Sequence, residues 1–482
     1  MTIPSCATPT IMPSTEEFSA RPELLAGLTP DLMYTMPRDT VAAIQLAGLR
    51  KRFSDMAGKV RVLERLADEQ KTSEIHNIED GAVLLFPHSF YKAYPLSILE
   101  NNRFDRLTRW LDGLTTSDLS SFDASSYETI DDWIDGLDRN TDVHVVHSSG
   151  TSGKLSFLPR GTPEIDAMAA AWPRGYTGFG DEPNNPLTGI ETMPVILPNF
   201  RRGGLGPVRM LDGVVRHVYD GHEDMIIALN PGRMSADMLS LGGRIRAAEA
   251  KGELGAMQMS PQLLARRDAF LADMAAAPAR RSAFFARVAE EYRGRRVVLL
   301  GNWIQHYDIA TEALAKGIAN VFSPESLLMV VGGMKGRKLP DDYKDVISAY
   351  LGVKNLRSGY GMSESVALHP ACPRGNYHLQ PWIIPFLLDP KTGEPRPRSG
   401  TQEGRYGFID LLAQTHWGGF LTGDAVTLSW GDTEPCNCGR LGPYVHSEVR
   451  RYSEIEGGDD KVTCAGAPEA HDKALSFLTE LA

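Results

Sequence analysis

Apolar residues recur at three- and four-residue intervals between residues 40 and 66, at Leu46, Leu49, Phe53, Met56, Val60 and Leu63. That is the period of helices with one buried face. Beyond them lie short, nearly continuous apolar runs at 83–86, 143–146, 194–197, 225–228, 297–300 and 327–331. Most are closely followed by Gly, Pro or Asn, and an uninterrupted apolar run closed by a turn signal reads as a strand buried on both faces. Helical patterning over 234–251 and 261–292 separates several of these runs. The alternation predicts an α/β architecture with a largely parallel sheet. After about Leu379 Pro and Gly become dense, and 406–413 and 425–430 predict an antiparallel β region. Residues 1–40, rich in Pro, Ser and Thr, read as a loose arm.

Composition narrows the function classes. The chain has 482 residues, 42% hydrophobic and 23% charged, which suits a globular protein with a large core. A net charge of −11 argues against nucleic acid or an anionic membrane as partner. No apolar run reaches the ~20 residues of a membrane helix, and the first residues lack the basic start and apolar core of a signal peptide. Five cysteines do not make a disulfide framework in a chain this long. The expectation is a cytoplasmic protein with reduced thiols.

Three motifs carry candidate chemistry. Ser148-Ser149-Gly150-Thr151-Ser152-Gly153-Lys154 follows the run 143–146. Small residues let backbone N–H groups approach a phosphate, hydroxyls donate to its oxygens, and a lysine adds charge. It is not a Walker A loop, which requires Gly at 148 and Ser or Thr at 155, where Ser148 and Leu155 stand. Nor is it a nucleophile elbow. A plain Ser/Gly turn is the alternative. Ser358-Gly359-Tyr360-Gly361-Met362-Ser363-Glu364 offers an aromatic face for a base, then a hydroxyl and a carboxylate suited to a phosphate and its Mg²⁺. Leu421-Thr422-Gly423-Asp424 places an acceptor carboxylate on a tight turn, fit for two ribose hydroxyls. Each motif is weak alone; the three in this order are specific.

Cys372 and His378 form C-x5-H, and Cys436 and Cys438 form C-x-C. Three thiols and an imidazole suit a closed, structural tetrahedral Zn²⁺, against the alternative of separate buried thiols and a surface histidine. Trp303 and His306 follow a predicted strand end, where ligands of α/β folds bind, although a packed aromatic and a satisfied histidine fit equally well. Arg201 and Arg202 could face a carboxylate or a phosphopantetheine phosphate. His147 adjoins the first loop and could orient a phosphate.

On these motifs the chain resembles the adenylate-forming superfamily, and within it the phenylacetate–CoA ligase family and the bacterial acyl-protein synthetases. The segment 148–154 resembles the phosphate loop of the former, and Phe200-Arg201-Arg202-Gly203-Gly204-Leu205-Gly206 its aromatic-plus-GGLG substrate segment. Gly332-Gly333-Met334-Lys335-Gly336-Arg337 resembles a GGWKG-type segment of the latter. The likeness runs from about residue 80 to 460. It implies a large α/β domain with mixed and parallel sheets flanked by helices plus a distorted β-barrel region. It implies that residues 148–154 grip the ATP phosphates and that Gly332 and Gly333 border adenine and the acyl pocket. Tyr360 would stack on adenine, with Ser358, Gly359, Gly361 and Met362 around the nucleotide. Ser363 would contact the α-phosphate, Glu364 hold Mg²⁺ and Asp424 bind ribose. Phe200, Gly203, Gly204, Trp303 and His306 would line the acid pocket. Lys154, Ser363 and Glu364 would be catalytic. Some relatives carry a zinc in a similar Cys/His then C-x-C arrangement.

The implied reaction is ATP-dependent activation of a small carboxylic acid, aromatic or acyl, as acyl-AMP with release of pyrophosphate. The acyl group then passes to a thiol or amine: coenzyme A, a carrier protein or an amine. Domains are expected at 1–40 (arm), 41–452 (large domain) and 453–482 (hinge-like segment and stub). Only 58 residues follow Asp424, and the hinge-like 456–461 lacks the usual Arg, so the small C-terminal domain with its catalytic Lys is expected to be largely missing. Lys154, Lys335, Lys461 or a partner protein would then substitute. The rival reading is a non-catalytic nucleotide- or acyl-binding protein, or a subunit working with a partner.

Overall fold

The computed structural model describes residues 13–148, 154–175, 179, 189–252, 261–332, 337–366, 368–455 and 464–482. Its strands, in chain order, are β1 (Phe86–Pro87), β2 (His144–His147), β3 (Phe157–Arg160), β4 (Val195–Arg202), β5 (Ile226–Arg233), β6 (Val298–Gly301), β7 (Leu327–Val331), β8 (Asn355–Tyr360), β9 (His369–Pro370), β10 (Tyr377–His378), β11 (Ile383–Leu388), β12 (Thr401–Asp410), β13 (Gly419–Ser429), β14 (Tyr444–Val445) and β15 (Arg450–Arg451).

Four of the predicted strand runs, at 194–197, 225–228, 297–300 and 327–331, pair as expected or nearly so, and β8 joins them. β5, β4, β6, β7 and β8 form a parallel sheet in that order, closed at one edge by antiparallel β9. Alternation along its strands feeds two cores. Ile196, Leu299 and Leu328 face one side, with the helices Trp303–Ala315 and Tyr343–Leu351. Val195, Val298 and Leu327 face the other, with the helix Gly206–His217. Burial on both faces is why these segments are uniformly apolar. The region after Leu379 is a second sheet, in which β11, β12 and β13 are antiparallel over long registers.

Three local readings need correction. The run 83–86 is not a strand: a 3₁₀ helix spans Glu79–Leu84, and only β1 pairs, with β13. Asp80 accepts from the backbone of His76 and Asn77, and Asn77 accepts from the backbone of Asp80; these side-chain bonds start a helical turn ahead of the apolar residues. Residues from 13 to 40 are not a loose arm. Ser14 and Glu17 form a capping box on Thr15–Ala20, Thr29 caps Pro30–Thr35, and Phe18, Leu25 and Tyr34 are buried. The Pro, Ser and Thr there are helix-start chemistry: prolines occupy first turns, where no N–H is needed. Finally, β2 belongs to neither large sheet. It pairs with β3, antiparallel, with His147 opposite Phe157, and bridges to Leu205 through His147.

The helix Pro468–Leu481 packs into the largest core through Ala470, Ala474 and Leu478. Ala467 N–H donates to Gln70 Oε1 at 2.9 Å, and Lys473 pairs with Glu69 at 2.6 Å. Among the described residues no helix is long and apolar enough to cross a membrane.

Candidate active site

Residues 149–153 of the expected phosphate loop, and Gly333, lie outside the described residues. Both ends of the loop are described. Ser148 closes the β2–β3 hairpin: its N–H donates to Ser156 O (3.1 Å) and its hydroxyl accepts from Ser156 N–H (2.9 Å). Lys154 lies with Nζ 4.4 Å from the Tyr94 ring centroid, and the Tyr94 hydroxyl donates to Leu155 O at 2.8 Å. Burial, with repulsion from Lys92, pulls the Lys154 ammonium down to about 8.

His147 is fully buried. Its backbone N–H donates to Gly204 O at 2.8 Å, its Nδ1 lies 3.0 Å from Ser148 O, and Nε2 has no partner among the described residues. A Cβ at position 204 would stand 2.7 Å from that Nε2, so Gly204 is required by the imidazole packed on it. Gly203 has φ +142°, open to glycine and hostile to side chains. Phe200 is half-buried on β4, beside Asn230 of β5. Arg201 is already neutralised, 3.0 Å from Asp212 and 2.8 Å from Glu223, while Arg202 is exposed. A cleft of about 240 Å³ is lined by Gly203 and by charged residues, among them Asp138, Arg201, Arg202, Arg209 and Glu223.

The second and third motifs meet. Tyr360 ends β8, and its hydroxyl donates to Asp424 Oδ2 at 2.7 Å across 64 residues of sequence. The ring sits among His369, Tyr377 and Tyr406, with centroids 5.8–6.0 Å away. Asp424 is 4% exposed; its Oδ1 lies 3.0 Å from Arg451 Nε, and its N–H donates to Thr422 Oγ1. Arg451 is placed by the β13–β15 register, in which it stands opposite Asp424. Ser358 and Gly359 lie on β8 opposite Val330 and Val331, and Gly332, with φ +84°, follows β7 directly. Gly361 is exposed and Met362 packs against the large core.

The turn after Tyr360 is held from two sides. The Arg160 guanidinium donates to Ser363 O at 2.7 Å. Asp410, ending β12, accepts from Ser365 Oγ (3.2 Å) and Val366 N–H (2.7 Å). Burial raises the Glu364 carboxyl above its ordinary range, opposed by Lys92, Arg160 and Arg451. Below the turn, Glu164 is fully buried, yet accepts from the backbone of Gly161, Gln414 and Thr415 and lies 3.1 Å from His416 Nδ1. Despite the cost of burial, His416 and these donors hold it ionised, at about 2.

Trp303 and His306 lie in the helix that follows β6, and both are buried. His306 is 1% exposed, with Nε2 3.0 Å from Leu300 O, and a Cβ on Gly301 would come 2.6 Å from that nitrogen. It braces a strand–helix turn. Trp303 packs edge-on against Tyr343, 5.3 Å between centroids. The sequence reading missed Arg160, Glu164, Asp410, Arg451, Lys92 and Tyr94. A charged pair at 160 and 164 directly behind an apolar strand was the one available signal.

Cys372, His378, Cys436 and Cys438 converge, with their donor atoms all within 4.8 Å of one another. The pairing of β10 with β14 brings the two clusters together. Cys372 and Cys436 Sγ are 3.9 Å apart. That is no disulfide, and it matches the roughly 3.8 Å between thiolates sharing a tetrahedral Zn²⁺ with bonds of about 2.3 Å. Asn376 Nδ2 donates to Cys436 Sγ at 3.5 Å.

The chain resembles 2-hydroxyisobutyryl-CoA ligase, solved in an open conformation with 2-HIB-AMP and CoA, at TM-score 0.50 and 15% identity over 87% of this chain and 71% of that one. Lesser likenesses are to ATP-bound MatB from Rhodopseudomonas palustris (TM-score 0.35, 13% identity, 65% of this chain, 51% of that one). Another is FadD1, a long-chain-fatty-acid-CoA ligase from Archaeoglobus fulgidus (TM-score 0.36, 11% identity, 65% and 52%). No family model matches the chain, and no curated protein matches it. The fold is that of the adenylate-forming ligases.

Proposed function

We propose that this chain, built on the adenylate-forming ligase fold, activates a carboxylic acid with ATP and passes the acyl group to a thiol or amine. The observation that carries this reading is the 2.7 Å bond between Tyr360 and Asp424, which brings the proposed adenine and ribose groups together one short turn from Glu364. Asp424, half-neutralised by Arg451, accepts the ribose hydroxyls. Tyr360 walls the adenine, with Gly332 and Gly333 along its edge. Lys154 and residues 148–153 take the β- and γ-phosphates, and Ser363 the α-phosphate. Phe200, Gly203 and Gly204 border the acid.

A single half-buried carboxylate suits Mg²⁺, which is held by one or two carboxylates with the rest of its shell from phosphates and water. Glu364 would hold it there, and the ion would supply charge neutralisation at the phosphates. The substrate carboxylate attacks the α-phosphorus, an acyl–phosphate bond forms, and pyrophosphate leaves with its bonding pair. No protein nucleophile is needed, so the chain's work is positioning and electrostatics. Residues 41–452 would carry the site. The Cys₃His cluster would hold a structural Zn²⁺ that staples the segment after Glu364 to the antiparallel sheet.

The complex of the 2-hydroxyisobutyryl-CoA ligase with an acyl-AMP and CoA supports acid activation and a thiol acceptor. The test is a panel of carboxylic acids screened for acid-dependent ATP–pyrophosphate exchange, followed by CoA, phosphopantetheinylated carrier proteins and amines as acceptors. Exchange with one acid class is expected. Tight ATP binding without exchange for any acid would replace the enzyme with a binding protein.

A further inference from the structure

Arg160 is fully buried at the end of β3, the strand by which the chain leaves the phosphate-loop hairpin. Burying a guanidinium is costly unless its charge and all its donors are matched. Here they are not. Among the described residues its guanidinium makes one hydrogen bond, to Ser363 O, and no ion pair; Nε and Nη1 have no partner. The nearby acid on its own segment, Glu164, is satisfied by three backbone donors and His416. The charge of Arg160 reaches Glu164 and Asp410, but among the described residues neither carboxylate hydrogen-bonds to it. Its one directed contact is with the carbonyl immediately before Glu364.

From the other side, Asp410 holds Ser365 and Val366, the two residues after Glu364. Glu364 thus sits on a turn anchored to the loop hairpin through Arg160 and to the antiparallel sheet through Asp410. We propose that Arg160 is a positioning residue: with Asp410 it fixes the Ser363–Glu364 turn so that the Glu364 carboxylate meets a divalent cation on bound nucleotide. This inference rests on the acid-activating reading, and its test separates the two.

Mn²⁺ binding to the protein–ATP mixture is followed by water-proton relaxation with no acid present, beside the Mg²⁺ dependence of pyrophosphate release. Removing groups that orient a metal ligand typically weakens metal affinity or activity 10–100-fold. Arg160→Gln should weaken Mn²⁺ binding about tenfold or more and raise the Mg²⁺ requirement of turnover similarly, with KM for the acid little changed. Arg160→Lys, which restores the charge but not the fork, should recover part of the loss. If Arg160→Gln does not fold, Arg160→Lys and Asp410→Asn decide, each expected to weaken Mn²⁺. Folded variants that bind Mn²⁺–ATP as the parent does overturn the role of Arg160 and leave the ATP site standing. A parent protein that binds no Mn²⁺–ATP overturns the nucleotide reading, and this inference with it.

Discussion

Asp424 accepts a hydrogen bond from Tyr360 on one oxygen and faces Arg451 on the other, and its carboxylate is almost wholly shielded from water. Hydrogen bonds to a charged acceptor contribute roughly 1.5–3 kcal/mol each, and leaving their donors unpaired costs a similar amount. Asp424→Ala should therefore raise KM for ATP by about 10–100-fold, equivalent to about 1.4–2.8 kcal/mol. Tyr360→Phe removes one donor and leaves the carboxylate with Arg451, so its effect should be the smaller. Steady-state kinetics at saturating acid distinguishes the two. Equal effects would mean that Tyr360, not Asp424, carries the binding.

Lys154 is held at about 8 by burial and by Lys92. Its ammonium is charged below that pH and lost above it. A phosphate contact that needs the charge should give kcat/KM for ATP an alkaline limb near pH 8. Lys92→Met removes the repelling charge, so the limb should move to higher pH. Lys154→Ala should cut kcat/KM by about 100-fold or more, in line with the loss of a key electrostatic donor, and abolish the limb. A limb that stays in place in Lys92→Met would assign it to another group.

The parallel sheet was legible because burial on both faces leaves an uninterrupted apolar record, as at 297–300 and 327–331. The Tyr360 and Asp424 motifs stood out as short local patterns, and the fold brings these two together. What escaped was chemistry made by tertiary contact. Arg160 touches Ser363 across 203 residues, and Glu164 meets His416 across 252. Neither pair leaves a local pattern, since a buried charge reads in sequence like a solvated one. Residues 13–40 misled because Pro, Ser and Thr serve loops and helix starts alike, and only the buried Phe18 and Tyr34 tell them apart. His306 fitted a pocket by position, but in the fold its Nε2 faces the Leu300 carbonyl.

The Cys₃His cluster should bind one Zn²⁺ per chain, measurable by mass spectrometry of metal in purified protein. Because the ligands join two segments that meet at the β10–β14 pairing, metal binding is coupled to the order of that region. Cys436→Ser or His378→Ala should lose the metal and lower the melting temperature. A strong chelator should do the same to the parent protein. Metal-free parent protein with an unchanged melting temperature would sink the structural role.

His306, His369 and His471 are buried, and burial pulls each imidazole down to about 4. Above pH 6.5 these groups are neutral in native and unfolded chains alike, and stability does not depend on them. As pH falls from about 6.5 to about 4, the unfolded chain takes up protons that the native chain refuses, so stability is lost through that window. Each histidine adds at most about 1.4 kcal/mol per pH unit to the slope. His471 is the informative one. Its Nε2 lies 3.2 Å from Leu85 O, and its Nδ1 is 3.4 Å from the Gln70 amide nitrogen. With Nε2 donating to the carbonyl, Nδ1 must accept from Gln70, and protonation would set two donors against each other. The helix Pro468–Leu481 should therefore loosen on acidification. Denaturant midpoints at pH 7, 6 and 5 should fall steadily in the parent, and His471→Gln should show a slope smaller by about one proton. Hydrogen exchange should show faster amide exchange in that helix at pH 5 than at pH 7, once corrected for intrinsic rates. An unchanged slope in His471→Gln would mean that this imidazole is not what acid acts on.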